Sequence, residues 1–284
     1  YTAKGIDNNL NTIAVDTNFL FFNPKAGVSH SFNDKVRAYT SVAVGNKEPS
    51  RNDFIDNAQN KQPKHESLLD YELGTVIKFK KMFINGNLYF MDYTNQLVAT
   101  GELNDVGSNI RTNVAKSYRA GFELMTTFLI SKKVKLNMNG TYSQNKIKDF
   151  TEVVYDDVTY AEINNDYSNT DIAFSPSMIA AASLEYNPFK SLNLMVQTKH
   201  VGDQFLDNTS NSNRKIDAYQ TVDARISYSI FPKKMKEISF NLLVNNLVNS
   251  MYSSNGYTYQ YLGTNNFYYP QAGANFLVGM TVKF

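Results

Sequence analysis

The sequence predicts an all-β fold, a transmembrane antiparallel β-barrel, and three observations predict it. Apolar and polar residues alternate through eleven segments, and a period of two marks a pleated strand with two unlike faces. The connections between these segments alternate short and long. Aromatic residues are abundant, 19 Phe and 19 Tyr, while Trp and Cys are absent.

The segments fall near 20–32, 35–45, 68–80, 82–94, 116–131, 133–147, 174–187, 190–205, 218–231, 236–248 and 274–284. In the sixth, Val134, Leu136, Met138, Gly140 and Tyr142 oppose Lys135, Asn137, Asn139 and Thr141. The ninth sets Val222, Ala224, Ile226, Tyr228 and Ile230 against Asp223, Arg225, Ser227 and Ser229. In the tenth, Ile238, Phe240, Leu242 and Val244 face away from Glu237, Ser239 and Asn241. The last places Phe276, Val278, Met280, Val282 and Phe284 on one side and Leu277, Gly279, Thr281 and Lys283 on the other. No helical periodicity of similar length competes.

Short turns are expected at Asn33-Asp34, Lys80-Lys81, Ser131-Lys132, Asn187-Pro188-Phe189 and Pro232-Lys233-Lys234. Long polar stretches lie near 46–67, 95–115, 148–173, 206–217 and 249–273. A soluble sandwich has short loops at both ends, whereas an outer-membrane barrel has short periplasmic turns and long outer loops. Alternation alone also fits a soluble sandwich, solenoid or adhesin, since any half-buried strand alternates. The loop asymmetry and the aromatic last strand favour the barrel, with Phe276 to Phe284 facing lipid and Phe284 in the interfacial aromatic girdle.

Composition sets limits. At 42% hydrophobic, the chain holds no stretch approaching a spanning helix, which needs about 20 apolar residues. A net charge of +2 gives no argument for nucleic acid. Without Cys there are no disulfides or thiolate metal sites. The chain starts at Tyr1 with neither initiator Met nor signal peptide, so it is expected to be a mature form or a piece of something longer.

Strand parity points the same way. The first segment ends at a short turn, which leaves residues 1–19 as an outer lead-in and 20–284 as barrel. Complete bacterial barrels have even strand numbers, and open edges are not tolerated in lipid. Either a strand lies within 1–19, where "NTIAVDTNFL" is a candidate, or part of the barrel lies elsewhere. The second is favoured, making this chain about half of a larger barrel.

Several stretches resemble the TonB-dependent outer-membrane receptors, particularly those of Bacteroidetes. They are "FFNPKAGVSHSFNDKVRAYTSVAVGNKEPSRNDF" with Pro49 and Arg51, "ESLLDYELG", "YFMDYTNQLVATGELNDVGSNIRTNVAKSYRAGFEL", "NNLVNSMY" and "YYPQAGANFLVGMTVKF". Ala274 departs from the family, which usually places Arg after this Gly. The resemblance implies a 22-stranded barrel, of which this chain is the C-terminal half. It also implies a plug domain outside these residues that engages the inner-membrane TonB energy-transducing complex. Energised uptake of a scarce large nutrient follows: a ferric siderophore, haem or cobalamin. Glycan-importing relatives, which work with a surface lipoprotein, and a passive porin are the alternatives. The expected location is the Gram-negative outer membrane, in contact with lipid and lipopolysaccharide. No cofactor and no nucleic-acid partner are expected.

Candidate site residues follow from chemistry. Tyr257, Tyr259 and Tyr261 lie in a Tyr-rich loop and offer rigid contact area with polar tips; Tyr268, Tyr269 and Tyr252 fit an interfacial belt instead. Arg51 and His65 lie in an outer loop, where His65 can ligate haem iron or simply face solvent. The stretch 149–171 is rich in Asp and Glu without Lys or Arg, and includes Asp156 and Asp157. It suits either a hard cation or plain solvation. Arg119 and Arg225 are expected to face the lumen. No nucleophile–base set is legible, so no enzyme is expected.

Overall fold

The computed structural model describes residues 2–6, 12–56, 62–104, 108–159, 161–260 and 263–284. A small antiparallel pair, β1 (Thr2–Ile6) and β2 (Thr12–Asp16), forms its own sheet. It contains part of the "NTIAVDTNFL" candidate but does not join the main sheet. The main sheet begins with β3 (Lys25–Ser31) and β4 (Val36–Lys47). A one-turn helix α1 (Arg51–Asp56) leads to β5 (Glu66–Phe79). Four strands follow: β6 (Met82–Leu103), β7 (Asn109–Leu129), β8 (Val134–Tyr155) and β9 (Glu162–Asp171). Next come β10 (Met178–Phe189), β11 (Leu192–Val201), and the two-residue strands β12 (Gln204–Phe205) and β13 (Lys215–Ile216). The chain ends with β14 (Tyr219–Ile230), β15 (Glu237–Asn245), the hairpin β16 (Ser253–Gln260) and β17 (Thr264–Pro270), and β18 (Asn275–Lys283).

Eleven strands pair as neighbours in the order β18-β15-β14-β11-β10-β8-β7-β6-β5-β4-β3, with β9 added on β8 to make twelve. Every pairing is antiparallel, and β3 and β18 are the two ends of the strand path. Register places the alternation as expected. One row across the sheet runs Leu73, Leu88, Phe122, Tyr142 and Met178; the row beside it runs Tyr39, Gly74, Asn87, Glu123 and Thr141. The first face is a continuous exposed apolar surface that includes Leu73, Leu88, Phe122, Leu184, Ile226 and Phe240. Its partner face is polar and cross-linked, as where Tyr39 reaches Asn87 (3.2 Å) and Asn137 reaches Ser183 (3.2 Å). Sheets that bury their apolar residues against water would show the opposite; this one keeps its polar groups inside and its apolar groups out, as lipid demands.

Close approach requires glycine in two places on the polar face. A Cβ at Gly74 would sit 2.2 Å from the Tyr39 ring, and one at Gly121 would sit 2.5 Å from the Tyr89 hydroxyl. Both rings lie flat on the wall because a neighbour lacks a side chain.

The long connections differ from the sequence expectation. Residues 95–103 and 109–115 prolong β6 and β7, and 148–155 with 162–171 prolong β8 into a hairpin with β9. The stretch 249–273 is largely the β16–β17 hairpin, not a free loop. The pleat turns at Asn95 and Asn169, whose φ values are 56° and 55°; Asn tolerates this left-handed region better than most residues. Past these points the apolar positions shift face. Val98, Val114, Ile147, Phe150 and Ile172 then pack into a core beyond the apolar band.

Candidate functional site

The ends of the sheet are unequal. At the long end, segment 206–217 folds onto the inner side of the prolonged hairpins and is locked there by its own polar groups. Asn208 is 0% exposed. Its carbonyl accepts from Ala173 N–H (2.8 Å) and its amide donates to the Ala99 carbonyl. Asp207 accepts from the N–H and hydroxyl of Thr209 and from Arg214 (2.8 Å). Arg214 also donates to Glu152, which accepts from the Tyr167 hydroxyl (3.0 Å). The Arg214 side chain is 8% exposed. Burial works against its charge, but Asp207 and Glu152 together hold its pKa above the usual value. Burial, reinforced by Glu152, pushes the Tyr167 phenol up.

The hairpin β16–β17 is docked on this platform. Asn266 donates to the Asn213 carbonyl (2.7 Å) and Tyr268 to the Lys215 carbonyl (3.1 Å). The Gln260 carboxamide oxygen accepts from Arg214. The space above Gly256 is closed by the Leu206 side chain and the Phe267 carbonyl, so no larger residue fits. The opposite face of the hairpin carries an aromatic ladder. Tyr257 and its cross-strand partner Phe267 stack at 5.0 Å and 11°, with Tyr269 at 6.1 Å from Tyr257. Such pairs add about 0.5–1.5 kcal/mol beyond area burial.

Below the platform, on the polar face, a pocket of about 420 Å³ is lined by Glu72, Tyr89, Arg119, Glu123, Asn145 and Phe174, among others. Arg119 is fixed by Asn145 and Ser175, each at 3.1 Å. It faces the interior as expected. Arg225 is exposed on that same polar face, in register with Met195 and Leu243. Phe174 sits at φ 53°, a genuine outlier for a bulky residue, and its N–H donates to the Phe205 carbonyl (2.9 Å). The strain is borne where the 172–177 segment bends over the pocket.

The other sequence-nominated residues are dispersed. The Tyr259 backbone is in β16, while Tyr261 lies outside the described residues. Arg51 opens α1 and is exposed. That helix is anchored instead by Asp53, which accepts from Ser50 N–H (2.6 Å) and takes a bidentate pair from Arg111 (2.8 and 2.6 Å). His65 nests against Phe21 (5.3 Å) and Phe19 (6.1 Å). Asp156 closes the β8–β9 turn by accepting from Val158 N–H, Thr159 N–H and the Thr159 hydroxyl, which lowers its pKa. Asp157 follows in that turn. Among the described residues no three His, Asp or Glu gather as a metal site. The acidic stretch is partly neutralised from elsewhere, by Arg214 on Glu152 and Lys146 on Asp171 (2.8 Å). On β18, Phe276, Val278, Met280 and Val282 share one face, the first three strongly exposed, and Phe284, also strongly exposed, follows directly after the strand. Sequence reasoning missed Asn208, Arg214 and Asp53, because the partners that tie them to other elements, Ala173, Ala99, Glu152 and Arg111, lie 35 to 109 residues away.

These features define a membrane-type antiparallel barrel sheet with a folded cap at one end. The chain belongs to the TonB dependent receptor-like β-barrel family, whose model matches residues 1–247. That family is one of outer-membrane receptors and not of enzymes. Three solved structures share the fold. The siderophore receptor PiuA from Acinetobacter baumannii is 18% identical, with TM-score 0.70 over 92% of this chain and 35% of its own. The ferric yersiniabactin uptake receptor FyuA from Yersinia pestis is 18% identical, with TM-score 0.65 over 90% and 36%. The copper transporter OprC is 16% identical, with TM-score 0.67 over 92% and 39%. The chain thus spans between 35% and 39% of the length of these matched structures.

Proposed function

We propose that this chain is the C-terminal half of an outer-membrane receptor that imports a scarce metal chelate, energised by an inner-membrane TonB complex through a plug domain. The observation that carries it is the two-faced open sheet with a folded cap on its long-loop end. Such a sheet is stable in lipid only when closed. Both edge strands run from the long-loop end to the short-turn end, because β3 enters the turn at 32–35 and β18 opposes β15, which leaves the turn at 231–236. Antiparallel closure therefore needs an odd number of further strands. Eleven would give an even barrel of the size known for plugged transporters. The short span of this chain relative to its matched structures supports the same reading.

Metal chelates are favoured over glycans by the cargoes in the matched proteins' names, two of them iron carriers and one copper. The aromatic ladder of Tyr257, Phe267 and Tyr269 is the contact surface for the chelate, with Arg51 and His65 at the outer rim. The motif stretches point to a Bacteroidetes-type receptor. The test has two parts. Intact mass of the native polypeptide, detected through peptides of this sequence, should show a chain far longer than 284 residues. The purified full receptor should then bind a ferric chelate from a panel, and Tyr257→Ala should weaken binding by about tenfold, the loss of one aromatic contact of roughly 1.4 kcal/mol. Binding of oligosaccharides with co-purification of a lipoprotein would replace this reading by the glycan one. Free conductance without any plug would replace it by the porin.

A further inference from the structure

The five short turns share a composition that closing a hairpin does not require. Lys80-Lys81, Lys132-Lys133 and Lys233-Lys234 come as pairs. Lys35, Lys190 and Lys236 add one each, while Asp34 is the sole carboxylate in residues 32–35, 80–81, 130–133, 188–191 and 231–236. All nine lysines are exposed. None is in an ion pair among the described residues, where the paired lysines are others. Glu237, the residue after Lys236, is already taken by Lys283 at 2.6 Å.

Each of these turns also carries one large exposed apolar residue beside its lysines: Phe32, Phe79, Ile130, Phe189 and Phe231. The two chemistries touch at the first pair of turns, where Lys35 Nζ lies 5.9 Å from the Phe79 ring centre. A large apolar side chain, four times Phe and once Ile, next to lysine at each of five turns along one rim matches an interface that is apolar on one side and anionic on the other. An acidic soluble protein or free phosphate would account for the lysines but not for the apolar partner at every turn.

We propose that the short-turn rim binds the anionic phosphodiester headgroups of phospholipids in the leaflet on that side. This rests on the membrane-barrel reading above. The apolar residue of each turn marks the hydrocarbon boundary, and the lysine stems extend past it to place their ammonium groups among the phosphates. Successive turns are two strands apart, about 10 Å. That exceeds the screening length of about 8 Å at physiological salt, so each turn is a separate headgroup site. Each lysine near an anionic surface favours the contact by roughly fivefold.

The test uses the full receptor, purified and stripped of lipid, and measures bound phospholipid by native mass spectrometry. Phosphatidylglycerol should be retained over phosphatidylcholine. Replacing the three lysine pairs together, K80Q, K81Q, K132Q, K133Q, K233Q and K234Q, should cut that retention by at least about tenfold. The same six positions as Arg should keep it. Should the sixfold Gln variant fail to fold, each pair replaced alone should still lower retention. Equal retention of both lipids by the wild type overturns the proposal and leaves an acidic macromolecule as the partner of the rim. Equal retention by the Gln and Arg variants also overturns it, as does full displacement by soluble glycerol phosphate. Heat-modifiable gel migration of the same sample reports the barrel separately: if migration fails, the barrel reading fails, and if it holds without lipid preference, only this proposal does.

Discussion

Arg214 shows how a single side chain can decide the shape of a region far from it in sequence. It joins segment 206–217 to β8 through Glu152 and to the β16–β17 hairpin through Gln260. Removing it leaves two carboxylates facing each other with little solvent. Arg214→Ala should cost the cap about 3–5 kcal/mol. Hydrogen exchange in 204–217 and 253–270 should rise while the strands of the sheet stay protected. Asp203 offers a milder control. It accepts from Lys215 at 2.7 Å, which holds its carboxyl below the usual range. A depressed carboxylate stabilises above its ordinary value, about 3.9, and that contribution is lost as pH falls through the lower folded value. Exchange of 204–217, corrected for intrinsic rate, should therefore rise between pH 5 and pH 3, and Asp203→Asn should remove much of that step. Neither residue announced itself in the sequence. Arg214 stands in a run of Asn and Ser typical of a loop, and one of the two acids it satisfies, Glu152, comes from a stretch that holds no cation of its own.

At the scale of the element, the strands were legible wherever lipid imposed a strict inside and outside. Leu124 and Met125 illustrate the rule: adjacent in β7, they point to opposite faces in register with Gly140 and Asn139. Leu124→Arg should destabilise folding in lipid vesicles by about 2–4 kcal/mol, and Met125→Arg by less than about 1, as measured by urea titration. Legibility failed where the strands leave the membrane. The turns of pleat at Asn95 and Asn169 break the period, and both faces there meet water or a small local core. Val98, Val114, Ile147 and Phe150 are then scattered apolar residues among polar ones, with no pattern to distinguish strand from loop. The same holds for 249–273, whose tyrosines suggested contact area but not that the backbone pairs from Ser253 to Pro270.

At the scale of the molecule, the apolar outer face and the polar inner face commit the chain to a closed ring. Expressed alone, the 284 residues should not give heat-modifiable migration or channel conductance in detergent. On the half-barrel reading proposed above, supplying the further strands, on the same polypeptide or in trans, should restore both. A stable closed form of this chain by itself would need β3 and β18 to pair as parallel neighbours, an arrangement absent from the pairings described.

That common direction of β3 and β18 also bears on fidelity during assembly. Newly made outer-membrane strands with unpaired edges are templates for whatever edge they meet. Two copies of this chain inserted with the same orientation present each other only like-directed edges, whether β3 meets β3, β18 meets β18 or one meets the other. Parallel pairing is slightly weaker per residue than antiparallel pairing, so copies crowded at the same insertion site gain less from each other than from a correct partner with opposed strands. Polarity of the seam thus biases the edges against pairing with a twin and toward strands of opposite direction.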